Sequence, residues 1–236
     1  MEERLEKLEN LKTKKINPYP YRFDRSHSFR QVKDNFDTLS ASQELVAIAG
    51  RIMAIRGHGK TIFATLRDEN DTLQIYMRKD DLGEKFDLFD DLDIGDFLGV
   101  RGPVFKTKTG EITVMAREFE LLSKSMKPLP EKWHGLTDVE IRYRKRYLDL
   151  VANPEIREVF RNRSRLVGLI REFFDGRGFL EVETPILQAI YGGAAAQPFK
   201  TFYNALDQEM FLRIADELYL KRLIVGGYDG VFEFAK

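Results

Sequence analysis

Between residues 43 and 122 apolar and polar side chains alternate with a period of two, and on either side of that stretch the period lengthens to that of a helix. Over residues 2–15, Leu5, Leu8 and Leu11 recur among alternating acidic and basic residues. They predict a short amphipathic helix that caps the next domain, keeps its charged faces in water and ends before Asn17-Pro18-Tyr19-Pro20. The period-two stretch divides into candidate strands Leu45–Ile55, Thr61–Leu66, Thr72–Met77, Phe97–Phe105 and Glu111–Leu122. Gly57-His58-Gly59, Asp68–Asp71, a polar helical insert near 79–92 and Lys106–Gly110 separate them. Five short strands with a helical insert between the third and fourth predict an OB-fold barrel. Residues 123–150 carry Pro128, Pro130, Trp133 and the basic cluster Arg142, Arg144, Lys145 and Arg146, and read as a linker. After Asn153-Pro154, Ile156, Val159, Phe160, Leu166, Val167, Ile170, Phe173 and Phe174 return at helical spacing until Gly176 and Gly178 end the helix. A strand over Phe179–Glu183 follows and is cut by Pro185.

Composition narrows the class without changing this outline. A chain of 236 residues holds one large or two ordinary domains, each able to bury its own core. With 43% apolar and 32% charged residues it reads as a soluble globular protein, and no apolar run approaches the ~18 residues a membrane span needs. Met-Glu-Glu-Arg-Leu-Glu-Lys at the N-terminus has neither an apolar core nor a small-residue cleavage site, so a cytosolic location is expected. The absence of cysteine excludes disulfides and thiolate metal sites. Lys plus Arg (38) equals Asp plus Glu (38), so a nucleic-acid partner would be held by local patches and shape, without a global positive field.

The outer face of the barrel is the first place where chemistry is legible. Alternation in Thr61–Leu66 puts Ile62, Ala64 and Leu66 on one face and Thr61, Phe63 and Thr65 on the other, so Phe63 stands among polar neighbours. The same parity puts Leu73, Ile75 and Met77 inside with Gln74 and Tyr76 outside, and sets Glu111 opposite to Ile112 and Val114. A ring beside amide and carboxylate groups is what an OB-fold uses to stack an unpaired base and read its edge. The alternative is that Phe63 packs under a loop and the polar groups are merely solvated. In the second half, the run Gly192-Gly193-Ala194-Ala195-Ala196 allows close backbone approach or marks a turn, and Glu217 reads as an exposed helix residue.

Three segments of the second half, GFLEVETPIL (178–187), GGAAAQPF (192–199) and LRIADELYLKRLIVGG (212–227), closely resemble the start of the catalytic domain of class II lysyl-tRNA synthetases. Upstream, AGRIMAIRGHGKTIFATLRD (49–68), FKTKTGEI (105–112) and LPEKWHGLTDVEIRYRKRYLDL (129–150) resemble, in order and spacing, that family's anticodon-binding domain and linker. No single segment is decisive, whereas the ordered set is specific. The resemblance implies an α+β chain: an N-terminal helical extension (1–42), a five-stranded OB-fold anticodon-binding domain (43–124), a linker (125–150), and an incomplete class II antiparallel sheet with a long motif 1 helix (151–236).

It further implies that Phe63 stacks on an anticodon base, that Gln74 and Glu111 help select the central uridine, and that Arg51 and Arg56 lie near the anticodon loop. In the catalytic part it implies that the Gly193 carbonyl and the Glu217 carboxylate hold the α-ammonium of lysine, and that the motif 1 helix and the strand through Phe179 and Pro185 build a dimer interface. The family joins lysine to its tRNA with ATP and Mg²⁺, gripping ATP with an arginine of a Phe-Arg-x-Glu segment and another in a later motif. Neither occurs in residues 1–236, which end at Phe232-Glu233-Phe234-Ala235-Lys236, so the catalytic residues are not among them, no metal ligand is assigned, and ATP and Mg²⁺ are not expected to bind well. The chain departs from the family at Gln197, where Arg is usual, at Asp216, where Pro is usual, and at Phe202-Tyr203, where a His-His pair is usual. The expected partners are the anticodon loop of tRNA-Lys and, in the complete enzyme, lysine, ATP and a second copy. Two other readings stay open: a stand-alone tRNA-binding or regulatory module, and an aspartyl- or asparaginyl-tRNA synthetase.

Overall fold

A computed structural model describes residues 2–130 and 136–235; Trp133 of the expected linker lies outside them. The chain divides into two compact units, Met1–Ala152 and Asn153–Lys236.

The first unit opens with helix α1 (Glu2–Thr13), acidic in its first turn and basic in its last, as the helix dipole favours. Leu11 is its buried anchor. Polar contacts fasten the rest: Arg4 donates to the carbonyls of Ser125 (2.7 Å) and Ile94 (3.0 Å), and Lys7 to Asp93 (2.9 Å). Beneath them Lys124 is fully buried, bonding Asp93 and Asp96, the latter at 2.8 Å. Burial opposes ionisation of Asp93, but hydrogen bonds from Lys124 and Lys7 outweigh it and hold the carboxyl below its usual range. Helix α2 (Phe29–Asp34) starts from a capping box in which Ser28 and Gln31 satisfy each other's backbone N–H groups, and α3 (Phe36–Ser42) leads into the barrel.

The strands are β1 (Val46–His58), β2 (Thr61–Arg67), β3 (Thr72–Arg78), β4 (Phe97–Gly102), β5 (Val104–Lys106), β6 (Ile112–Met115) and β7 (Glu118–Ser123), in the order β5-β6-β3-β2-β1-β4-β7. Five strands were expected, and the fourth and fifth are each broken in two. Pro103, lacking an N–H, parts β4 from β5, and at Gly102 an added Cβ would stand 1.8 Å from the Met115 carbonyl oxygen. The break closes the barrel: β4 and β7 pair on one side of β1, while their continuations β5 and β6 reach β3 on the other. Between β3 and β4, helix α4 (Lys79–Leu82) and a 3₁₀ segment (Gly83–Asp91) bury Leu82, Phe86 and Phe89 against the core.

The expected linker holds two short helices, α5 (Val139–Arg144) and α6 (Arg146–Ala152), which belong to the first unit. Its basic cluster is largely engaged: Arg142 (2.9 Å) and Arg146 bond the fully buried Asp149, and Arg144 bonds Glu140 at 2.5 Å. Arg67 of β2 donates to the Val151 carbonyl at 2.9 Å.

In the second unit the long helix α7 (Ile156–Asp175) is followed by β8 (Leu180–Glu181), β9 (Leu187–Gln188), β10 (Lys200–Tyr203), β11 (Gln208–Leu212), helix α8 (Glu217–Val225) and β12 (Val231–Phe232). Strands β10, β11 and β9 form an antiparallel sheet in that order, and β8 pairs with β12 in parallel, a pairing added to the antiparallel sheet expected from the sequence. Val159, Phe160, Leu166, Leu169 and Phe173 of α7 are exposed.

Candidate nucleic-acid interface and amino-acid pocket

Alternation of burial along β2 and β3 turns every second side chain outward. Register then aligns those side chains into two rows. Arg56, Phe63, Tyr76 and Met115 form one row across β1, β2, β3 and β6; Thr65, Gln74, Thr113 and Phe105 form the next across β2, β3, β6 and β5. Directly opposite residues of an antiparallel pair lie ~4.5–5.5 Å apart at Cβ, so the members of each row are neighbours across the strands.

Within the first row the Phe63 and Tyr76 rings stack at 4.5 Å between centroids and 29° between planes. Tyr76 meets Phe105 edge-on at 5.9 Å. One face of the Phe63 ring is thus taken by Tyr76, and the residue is half-buried. In the second row the Thr113 hydroxyl donates to Gln74 Oε1 at 2.9 Å. Glu111 is exposed at the end of the Thr107–Gly110 turn, whose backbone is set by Thr107 N–H donating to the Glu111 carbonyl (2.9 Å) and Glu111 N–H donating to Thr107 Oγ1 (3.0 Å).

Phe63, Gln74, Glu111 and Arg56 are thus brought to one patch, and Arg56 is exposed opposite the ring. Arg51 is placed elsewhere. It pairs in register with Arg67, roughly 13 Å further along β2 than Phe63, and its guanidinium lies 4.3 Å over the Phe97 ring while donating to the Gly95 carbonyl at 2.9 Å. Tyr76, Phe105 and Thr113 complete the patch and were not singled out from the sequence. For Tyr76 the signal existed, since its outward parity and the four-residue turn 68–71 set it opposite Phe63. Phe105 and Thr113 join only through barrel closure.

In the second unit the structure brings Gly193 and Glu217 together. Gly193 has φ +86, and an added Cβ there would meet Glu217 Cβ at 3.0 Å and Glu217 Oε2 at 3.2 Å, so the loop lies directly against that side chain. Glu217 is half-buried in the first turn of α8, and its Oε1 accepts from Lys221 one turn on. A carboxylate beside a left-handed glycine suits an ammonium group. Asp216 occupies the N-cap of α8, where a second carboxylate is favoured by the helix dipole.

Elsewhere in the unit, Thr184, Arg213 and Glu233 form a buried polar cluster: Glu233 accepts from Arg213 and from the Thr184 hydroxyl, each at 2.6 Å. Burial opposes ionisation of Glu233, but the bonds from Thr184 and Arg213 prevail and hold its carboxyl below its usual value. Arg213 Nε is buried without a partner. Phe179 packs inward against Gly230 and Phe174, the latter at 5.4 Å, whereas Pro185 is exposed and its carbonyl accepts from Gln188 at 3.2 Å. Among the described residues no three His, Asp or Glu side chains gather as metal ligands, and no helix is long and apolar enough to cross a membrane.

Residues 46–122 match the family of OB-fold nucleic acid binding domains, and residues 138–236 match the class II tRNA synthetases of the D, K and N group. Fold and site thus define a class II synthetase chain with an anticodon-type barrel. Nearly its whole length is similar to lysine–tRNA ligases: 58% identical to that of Carboxydothermus hydrogenoformans over 98% of the chain and 47% of the relative, and 57% to that of Pelotomaculum thermopropionicum over 99% and 46%. The Methanoculleus marisnigri ligase is 55% identical over 99% of the chain and 47% of its own length. The chain belongs to the class II lysyl-tRNA synthetase family and spans about half the length of the curated relatives it matches.

Proposed function

We propose that the protein works as a lysine–tRNA ligase, activating lysine with ATP and transferring it to tRNA-Lys, and that residues 1–236 supply the anticodon grip and part of the lysine pocket. The observation that carries this is the Phe63 ring, backed by Tyr76 and flanked by Gln74, Glu111 and Arg56 on the outer barrel face. A base stacked on the open face of Phe63 would bring its edge to Gln74 and Glu111, and the central uridine of the anticodon is the base we assign there. Arg56 supplies local positive charge that the balanced chain lacks overall. Gly193 and Glu217 are assigned to the α-ammonium of lysine, a charge-assisted contact strongest when water is excluded. The domain roles follow: helical extension, anticodon barrel, linker helices and the opening of the catalytic domain, in a cytoplasmic homodimer. Arg51, held on Phe97 and Gly95, supports the barrel near the loop and is not assigned to a base.

The Phe-Arg-x-Glu segment with which the family grips ATP does not occur in residues 1–236, so none of them is assigned to ATP or Mg²⁺. No step is derived through either. The anticodon reading is tested by titrating the chain with stem-loops bearing UUU or a triplet without the central uridine. Tighter binding of UUU is expected, with Phe63→Ala costing about 1–3 kcal/mol. Equal affinity for both loops would overturn the assignment.

A further inference from the structure

Thr113 is fully buried although its backbone parity faces the outer side of the barrel, next to Gln74 on one strand and Phe105 on the other. A hydroxyl shut away from water is costly unless it is used. Its single proton has two acceptors within reach, Gln74 Oε1 at 2.9 Å and the Glu111 carbonyl at 3.2 Å. The Glu111 carbonyl already receives the Thr107 N–H at 2.9 Å, and Gln74 Oε1 is the nearer acceptor, so the proton goes to the glutamine. That bond turns the amide oxygen towards Thr113. The amide nitrogen has no partner among the described residues and is not among the buried atoms without one, so it faces solvent with both donors available.

We propose that Thr113 is a specificity-determining positioning residue: its hydroxyl holds the Gln74 amide with the NH₂ outward, so that the patch offers a donor to the 4-position of a pyrimidine stacked on Phe63. This rests on the anticodon reading. Uracil carries a carbonyl oxygen at that position and accepts the bond; cytosine carries an amino group, which sets donor against donor and leaves both unpaired. A glutamine free to rotate would present its oxygen to cytosine equally well. Thr113 weights that choice, because in the flipped amide the hydroxyl would have to accept from Gln74 and turn its proton to the more distant, already engaged Glu111 carbonyl, and the discrimination comes from the unpaired groups the wrong base creates.

The test uses the whole 1–236 chain and two anticodon stem-loops differing only in central U or central C. The unaltered chain should prefer central U, and Thr113→Val, which keeps the β-branched shape but lacks the hydroxyl, should shrink the U-to-C affinity ratio about tenfold. Thr113→Ser should restore most of it, which a purely structural role would not predict. An unchanged ratio in Thr113→Val, with the patch still binding RNA, overturns the role of Thr113 and leaves the anticodon reading standing. An unaltered chain that binds both loops alike overturns both. Should Thr113→Val fail to fold, Gln74→Glu decides: it replaces the outward donor by an acceptor and should shift preference towards central C, and retained preference for U would overturn the proposal.

Discussion

Along β2 and β3 every second side chain is withdrawn from water, and in the barrel core Ile48, Ile52, Leu66, Leu73, Ile75 and Leu98 are completely buried. Among the described residues of Asn153–Lys236 no apolar residue is buried; the buried side chains are the polar ones of Thr184, Gln188, Arg213 and Glu233, and α7 keeps Val159, Leu166 and Phe173 in solvent. Both regions carry a regular apolar pattern in sequence, of period two in the barrel and of helical period in α7, so the difference lies in what each has to pack against. A barrel closes on itself and supplies both walls of its core. A single long helix beside short strand pairs supplies one wall, and its apolar stripe waits for another surface. In the proposed homodimer the second copy provides part of that surface. A self-contained binding module and a half that depends on additional surface is the organisation this contrast describes.

The largest expected effect strikes the barrel core. Leu73→Ala should cost about 2–5 kcal/mol in denaturant unfolding, since it leaves a cavity in a closed core. The matching change in the other unit, Leu169→Ala, should stay within about 0.5 kcal/mol because the side chain is already in water. Similar costs at the two positions would mean that the second unit has a core the exposure pattern does not reveal.

Next in size is a separation of activities. Residues 1–236 should bind a UUU stem-loop yet fail to exchange labelled pyrophosphate into ATP with lysine, because loss of one well-placed charge-stabilising donor already costs ~10²–10³ in rate. Exchange above a no-enzyme blank that Glu217→Ala abolishes would break the division of labour drawn here.

The smallest effect is one of acid stability. Asp93 and Glu233 both have carboxyls held below their usual range, so each contributes stability that is fully present above the ordinary carboxylate value and is lost as pH falls through the depressed one. Loss at Asp93 loosens α1 from a barrel that keeps its apolar core, whereas Glu233 belongs to the buried cluster of a unit without one. Backbone amide resonances followed from about pH 7 down to about pH 3 should therefore disperse less in the second unit before the first. Simultaneous collapse of both sets would remove this distinction.

Much of the candidate interface is legible in the sequence. Alternation put Phe63 and Gln74 on the wet face, and the observed burial of Ile62, Ala64, Leu73 and Ile75 follows that parity. The insert between the third and fourth strands and the long helix lie where apolar spacing put them. Strand breaks at Gly102-Pro103 and after Met115 were read through, because a period-two pattern continues across a kink that only barrel geometry requires. The basic run around Arg142 reads in sequence as part of a linker, yet Asp149, a residue without apolar character, is the buried hub that Arg142 and Arg146 surround.

What the sequence by itself determined is the face to which each strand residue turns, since that depends only on neighbours one and two residues away. It also supplied the glycine that a left-handed position at 193 favours and the ordered segments that mark the family. Tertiary structure alone decided which outward residues meet. Barrel closure laid Phe105 and Thr113 beside Gln74 from far along the chain and tied Arg51 to Phe97 away from the ring, and the fold of the second unit turned Gly193 onto Glu217. Such meetings depend on pairing between strands distant in sequence, and no local period encodes them.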